Sequence, residues 1–149
     1  MLPLLTLLSI AQAGDDGPVG LRATTGLLVV HNPVAGITLP ATELGLAAQW
    51  RGLELDLGLH PFHTIVGADL LYGPELRWSH VWGEGTWAGY SSLGAGAWFG
   101  GPVPALPVGR GEGGLRWRKE HLTARLGLDL MGSYRAFGVG PRLAFGGSL

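Results

Sequence analysis

The sequence predicts an all-β fold, an eight-stranded antiparallel up-and-down transmembrane β-barrel. Three observations lead there. Apolar and polar residues alternate with a period of two along most of the chain, as on strands with two unlike faces. Charged residues within those stretches keep to one face. The connections between them are alternately long and tight, which is how a membrane barrel with an even strand count is built. The 149 residues include 27 Gly, 10 Pro and no Cys, with 14% charged and 46% hydrophobic. An average soluble domain has about 25% charged residues and about 7% Gly. Lack of cysteine excludes a disulfide scaffold and a Cys-based zinc site. A net charge of −1 removes the footprint of a nucleic-acid binder. No run of about 20 apolar residues marks a membrane-spanning helix, and the length fits one domain.

Met1–Ala13, MLPLLTLLSIAQA, is an apolar run ending in Ala-x-Ala, and no charge precedes Asp15. It reads as a secretory signal cleaved after Ala13, although it is short and lacks a leading Lys or Arg. Residues 1–13 are then the signal peptide and 14–149 the barrel.

Strands are expected near 19–30, 41–50, 53–60, 68–81, 86–99, 108–117, 122–132 and 136–146. The clearest is Leu53-Glu54-Leu55-Asp56-Leu57-Gly58-Leu59, with leucine at every odd position. Arg51-Gly52 forms a two-residue turn that pairs position 50 with 53, so Leu44, Leu46, Ala48 and Trp50 share the leucine side. Opposite the leucines lie Arg22 in the first strand, Glu43 in the second, and Glu54 and Asp56 in the third. Asp69, Glu75 and Arg77 follow in the fourth, and Arg110, Glu112 and Arg116 in the sixth. Arg125 and Asp129 take the seventh and Arg142 the eighth. The fifth strand, rich in Gly, Ala and Ser, presents a poor lipid face and is a candidate surface for a homo-oligomer. Long connections are expected at 31–40, 60–67, 100–107 and 133–135, and tight ones at 51–52, 82–85 and 118–121. Pro74 and Pro141 each remove a ladder donor, so a bulge or local break is expected at both.

Aromatic residues flank this band. Trp50, Trp78, Trp82, Trp87, Trp117 and Phe145 lie beside the tight turns or the C-terminal end; Phe62, Trp98, Phe99, Tyr134 and Phe137 lie beside the long connections. Indole rings settle at the headgroup level, so the six Trp and Phe145 are taken as membrane-interface residues. An offset of 67 residues relates Trp50-Arg51 to Trp117-Arg118 and Gly73-Pro74 to Gly140-Pro141, consistent with two four-stranded halves.

In these features residues 19–146 resemble the small eight-stranded outer-membrane barrels of Gram-negative bacteria, the class of the OmpA transmembrane domain and OmpX. Gly140-x-x-Leu143-x-Phe145 looks like the terminal strand signal of that class, with Gly138 in place of the usual polar residue and Gly146–Leu149 extending beyond the aromatic. The resemblance implies export to the outer membrane, insertion by the barrel-assembly machinery, and lipids and lipopolysaccharide as surroundings.

An eight-stranded barrel is just wide enough for side chains to fill. Six Arg and seven acidic residues then face the lumen and must pair, because a lone buried ion costs several kcal/mol. Gln49, Thr24, Thr123, Tyr90 and Ser92 are expected to fill the remaining hydrogen bonds. The expected function is a closed plug, structural or recognising lipid or a partner through its loops, with no cofactor and no metal. Two alternatives were weighed. A lipid A-modifying enzyme would use His31, His60 or His63 with Asp69 and Thr64, but Ser79-His80 is the reverse of the expected His-x-Ser, and His60-x-x-His63 lacks further metal ligands. A soluble lipocalin-like binder would turn the leucines inward.

Overall fold

The computed structural model describes residues 19–33, 36–60, 71–100 and 105–148. Eight strands follow in order: β1 (Gly20–Asn32), β2 (Ile37–Trp50), β3 (Leu53–His60), β4 (Leu71–Trp82), β5 (Trp87–Trp98), β6 (Leu106–Lys119), β7 (Leu122–Gly132) and β8 (Phe137–Ser148). Each pairs antiparallel with its neighbour in sequence, and β8 returns to pair with β1, closing the barrel. The expected signal segment, Phe62, His63, Thr64 and Asp69 lie outside the described residues.

Which face meets which medium follows from exposure. Leu46 is 68% exposed while Glu43, three residues away on the opposite face of β2, is 1% exposed. The same holds around the cylinder: Leu53, Leu55, Leu57 and Leu59 face out while Glu54 and Asp56 face in. A soluble binding barrel has the reverse arrangement.

Turn chemistry sets the tight end. Arg51 and Gly52 both have positive φ, 48° and 83°, the backbone of a type I′ hairpin whose twist matches its strands. The Ser79 amide donates to the Gly52 carbonyl at 2.7 Å, tying this turn to β4. At the other end the expected long connection at 31–40 is absent. β1 and β2 stay paired through Asn32↔Ile37, with Pro40 opposite Val29. His31-Asn32-Pro33 and Pro40 read as loop punctuation, but residues 37–40 simply extend β2 along β1. Similarly, β6 begins at Leu106, shortening the expected 100–107 loop.

The two Gly-Pro pairs interrupt the ladder without shifting it. β4 and β5 pair from Glu75↔Gly96 onward and meet again only at the Tyr72↔Phe99 bridge, in the same register. β1 and β8 pair at Gly26↔Arg142 and resume at Val29↔Val139. The result is a local break rather than a bulge, since no extra residue is inserted. Proline supplies no N–H at the break. The preceding glycine lets the walls close there: a Cβ on Gly73 would collide with the Ala97 carbonyl, and one on Gly140 with the Leu27 carbonyl.

The outer face of β5 is thin, as its composition implies. Leu93 projects between Gly89, Ser91, Ala95 and Ala97, and the facing row of β6 is Gly109, Gly111 and Gly113.

Gly140→Ala is expected to cost about 3 kcal/mol or more, because the wall must shift to admit a methyl group. Gly132→Ala meets nothing within 4 Å and is expected to leave stability within about 1 kcal/mol of the parent. Urea unfolding of the refolded barrels, followed by the heat-dependent gel shift, measures both.

Candidate functional site

The lumen gathers ionic side chains from strands all round the barrel. Near the tight-turn end Arg22 donates to Glu54 at 2.6 Å, and Arg125 Nη1 lies 3.4 Å from the same Glu54 oxygen and 3.3 Å from Ser79 Oγ. Arg116 donates to the Gly85 carbonyl at 3.2 Å, anchoring the β4–β5 turn. At mid-height Arg77 contacts three carboxylates, Glu75 at 2.7 Å, Glu112 at 3.2 Å and Asp56 at 3.5 Å. Arg142 also contacts three: Asp56, Glu43 at 3.4 Å and Glu112 at 3.3 Å. Above them Arg110 meets Glu43 at 2.7 Å, Glu75 at 3.2 Å and Asp129.

The contacts of Arg22, Arg77, Arg110, Arg125 and Arg142 form one connected set. Tyr90 joins its lower and upper parts, with Arg125 over its ring at 5.0 Å and its hydroxyl bonded to Glu112. Among the described residues six Arg and six carboxylates face inward, so the lumen is neutral in sum. Asp69, also assigned to it from the sequence, lies outside the described residues. Cation–carboxylate bonds of this kind are short and strong in a low-dielectric interior. Sharing Glu43, Glu54, Asp56, Glu75 and Glu112 each between two guanidiniums lets a few side chains satisfy many donors.

The network does not reach the long-loop end. There Leu28, Ala41, Trp98, Val108 and Met131 form a buried apolar cluster, with Val30, Leu71 and Leu106 against it. Sequence reading missed this cluster. Its signal is present: the inward positions of β1, β2, β6 and β7 carry no charge beyond Glu43, Arg110 and Asp129 towards this end.

Trp98 corrects the expectation for the interface aromatics. It is 3% exposed and faces inward, its indole N–H donating to Glu75 Oε1 at 2.8 Å. Proximity to a loop had placed it in a belt, whereas its parity with Tyr90 and Ser92 places it in the lumen. A buried indole needs an acceptor, and Glu75 supplies one. Trp50, Trp82, Trp87 and Phe145 are exposed on the outer face, and Trp78 and Trp117 lie half-buried on the same outward rows. Gln49 and Thr24 differ from expectation too. Their side-chain polar atoms are buried without a partner in the protein, a situation that ordered water commonly resolves.

The histidines fall differently. His31 Nδ1 lies 2.7 Å from Thr38 Oγ1, and its ring packs on Phe137 with centroids 5.2 Å apart. Ser79 and His80 lie on opposite faces of β4, Ser79 bonded within the lumen and His80 between the Trp78 and Trp82 rings. No cluster of three potential metal ligands occurs among the described residues.

Arg142→Met leaves Asp56, Glu43 and Glu112 short of a cation and is expected to cost about 3–5 kcal/mol. Tyr90→Phe removes one hydrogen bond to a carboxylate and is expected to cost about 1.5–3 kcal/mol. Urea midpoints of the refolded variants test this ranking.

No protein-family model and no curated protein sequence matches the chain. Solved structures do. The crystal structure of Neisserial surface protein A aligns with a TM-score of 0.60 at 7% identity, over 89% of this chain and 98% of that one. The N-terminal β-barrel domain of Pseudomonas aeruginosa OprF aligns with a TM-score of 0.51 at 12% identity, over 87% and 98%. Closed eight-stranded topology, an outward leucine face and these two similarities together show that the chain has the fold of a small outer-membrane β-barrel.

Proposed function

We propose that the protein is a closed outer-membrane barrel whose lumen is a plug rather than a pore, and that it works structurally or by recognising lipid or a partner through its loops. In this reading residues 1–13 are a signal cleaved after Ala13. The C-terminal Leu143-x-Phe145 pattern engages the barrel-assembly machinery, and outer-membrane lipids and lipopolysaccharide surround the finished barrel. The observation that carries the reading is the connected ion network, in which Arg77, Arg110 and Arg142 each contact three carboxylates across the lumen. Moving one of these groups aside to admit ions breaks several contacts at once, and removing a partner from a buried pair costs about 3–5 kcal/mol. The apolar cluster around Trp98 and Met131 supports it further, because it caps the network towards the long loops.

Two measurements test the reading. Protein in native membranes is expected to resist carbonate extraction and to show a heat-dependent gel shift. Planar bilayers containing the purified barrel are expected to show no stable open channels, and steady ion conduction would overturn the plug.

A further inference from the structure

The lipid-facing wall is not evenly convex. Between β2 and β4 it carries a depression of about 590 Å³, banked by Leu44, Leu46, Leu57 and Leu59 and bounded by Tyr72 and Phe99 at the loop end. Below it lies a second of about 380 Å³, lined by Leu21, Ala23, Ala48 and Leu55. Both are also lined by Leu46 and Leu57, so they join into one furrow that descends from the loop rim across the outer face of β1–β4.

Sequence and register explain why the wall sinks here. Gly45, Gly58 and Gly73 lie side by side on adjacent strands, through Gly45↔Gly58 and Gly58↔Gly73. All three take inward positions, and without Cβ atoms the wall sits close over what lies inside, Thr24 and Asp56 behind Gly45 and the Ala97 carbonyl behind Gly73. Outside, Ala23 and Ala48 keep the lower part shallow-walled, while leucines raise the banks. The lining is apolar apart from backbone groups, the Tyr72 hydroxyl at the rim and Arg22, whose charged end is paired with Glu54 inside.

We propose that this furrow seats one acyl chain of a lipid from the leaflet on the long-loop side, holding it as a bound ligand rather than as passing solvent. The inference rests on the proposed membrane setting and names the lipid part that the barrel recognises. Three observations select this occupant. The furrow is continuous with the leucine face that meets lipid, between the Trp50 level and the Tyr72–Phe99 ring pair, whose centroids are 6.3 Å apart. Its upper part, about 590 Å³, is open to the outside rather than enclosed, so a chain can lie in it from the membrane side. Its banks offer dispersion contacts on both sides of a narrow chain, which a flat surface does not. Among the described lining residues Tyr72 alone carries a side-chain hydroxyl, at the end where a lipid's ester region would be.

Native mass spectrometry tests this with the full barrel refolded into vesicles of palmitoyl-oleoyl phosphatidylglycerol and transferred to detergent. One retained lipid per barrel is expected. Leu57→Trp, at the junction of the two depressions, is expected to lower retention about five-fold, equivalent to roughly 1 kcal/mol. Leu46→Trp should act alike and stands in if Leu57→Trp does not fold by gel shift. Leu126→Trp, on the outer face of β7, should retain lipid as the parent does. Vesicles of palmitoyl-oleoyl phosphatidylcholine should give the same retention, since the chain and not the headgroup is held. Absence of a retained lipid on the parent, equal retention by all variants, dependence on headgroup, or paired barrels in place of the lipid adduct would each overturn the proposal. Conduction through the lumen would overturn the plug and leave this lipid count unchanged, so the two readings fail separately.

Discussion

A charge in a low-dielectric wall needs an opposite charge at contact distance, and the rest of the barrel depends on that requirement. The apolar outer face offers no partner, and all twelve described strand charges of the network point inward. The narrow lumen then forces them together. Because side chains alternate strictly, sliding any strand except the uncharged β5 by one residue would carry its charge to the apolar outer face and strand its partner. Register, closure and charge pairing are therefore one constraint seen three times. Such a network adds specificity more surely than stability, since apolar replacements of buried ion clusters can be equally stable. In lipid, however, its inward placement also excludes the inverted barrel.

Glycine content follows from the same crowding. The Arg77 stem occupies the space where a Cβ on Gly94 would sit, and Glu75 does the same at Gly96. Tyr90 and Glu112 meet beside Gly127, and Arg22 lies over Gly146. Long ionic side chains and bare backbone are thus matched across neighbouring strands. Composition unusual for a soluble domain becomes a packing rule for a thin cylinder: each large inward group borrows the volume that a glycine leaves empty.

Much of this was legible because period-two patterning is local. The row Leu53, Leu55, Leu57, Leu59 fixes a strand and its face without reference to anything else. Parity then carries the charges inward strand by strand. What escaped was whatever depends on relations between strands. Trp98 lies beside a loop, as a belt residue does, and only its parity with Tyr90 marks it as inward. The hairpin joining β1 and β2 was hidden by prolines that can sit within paired edges. The apolar cap at Leu28 and Met131 shows in the sequence only as uncharged inward positions, and the partner of each Arg requires the stagger of strands around the barrel.

The Gly-Pro interruptions give the cylinder a grain. They fall between β4 and β5 and between β8 and β1, the two boundaries that separate strands 1–4 from strands 5–8. Within each set of four the ladders carry no internal gap, although β2 pairs with β3 only as far as Leu44↔Leu59; between the sets each ladder is interrupted near the loop end. The wall is therefore a clasp of two half-shells, stitched firmly at mid-height by ion pairs such as Asp56–Arg142 and Glu75–Arg110 that reach from one half to the other. At these two seams side chains hold shut what the backbone leaves ajar.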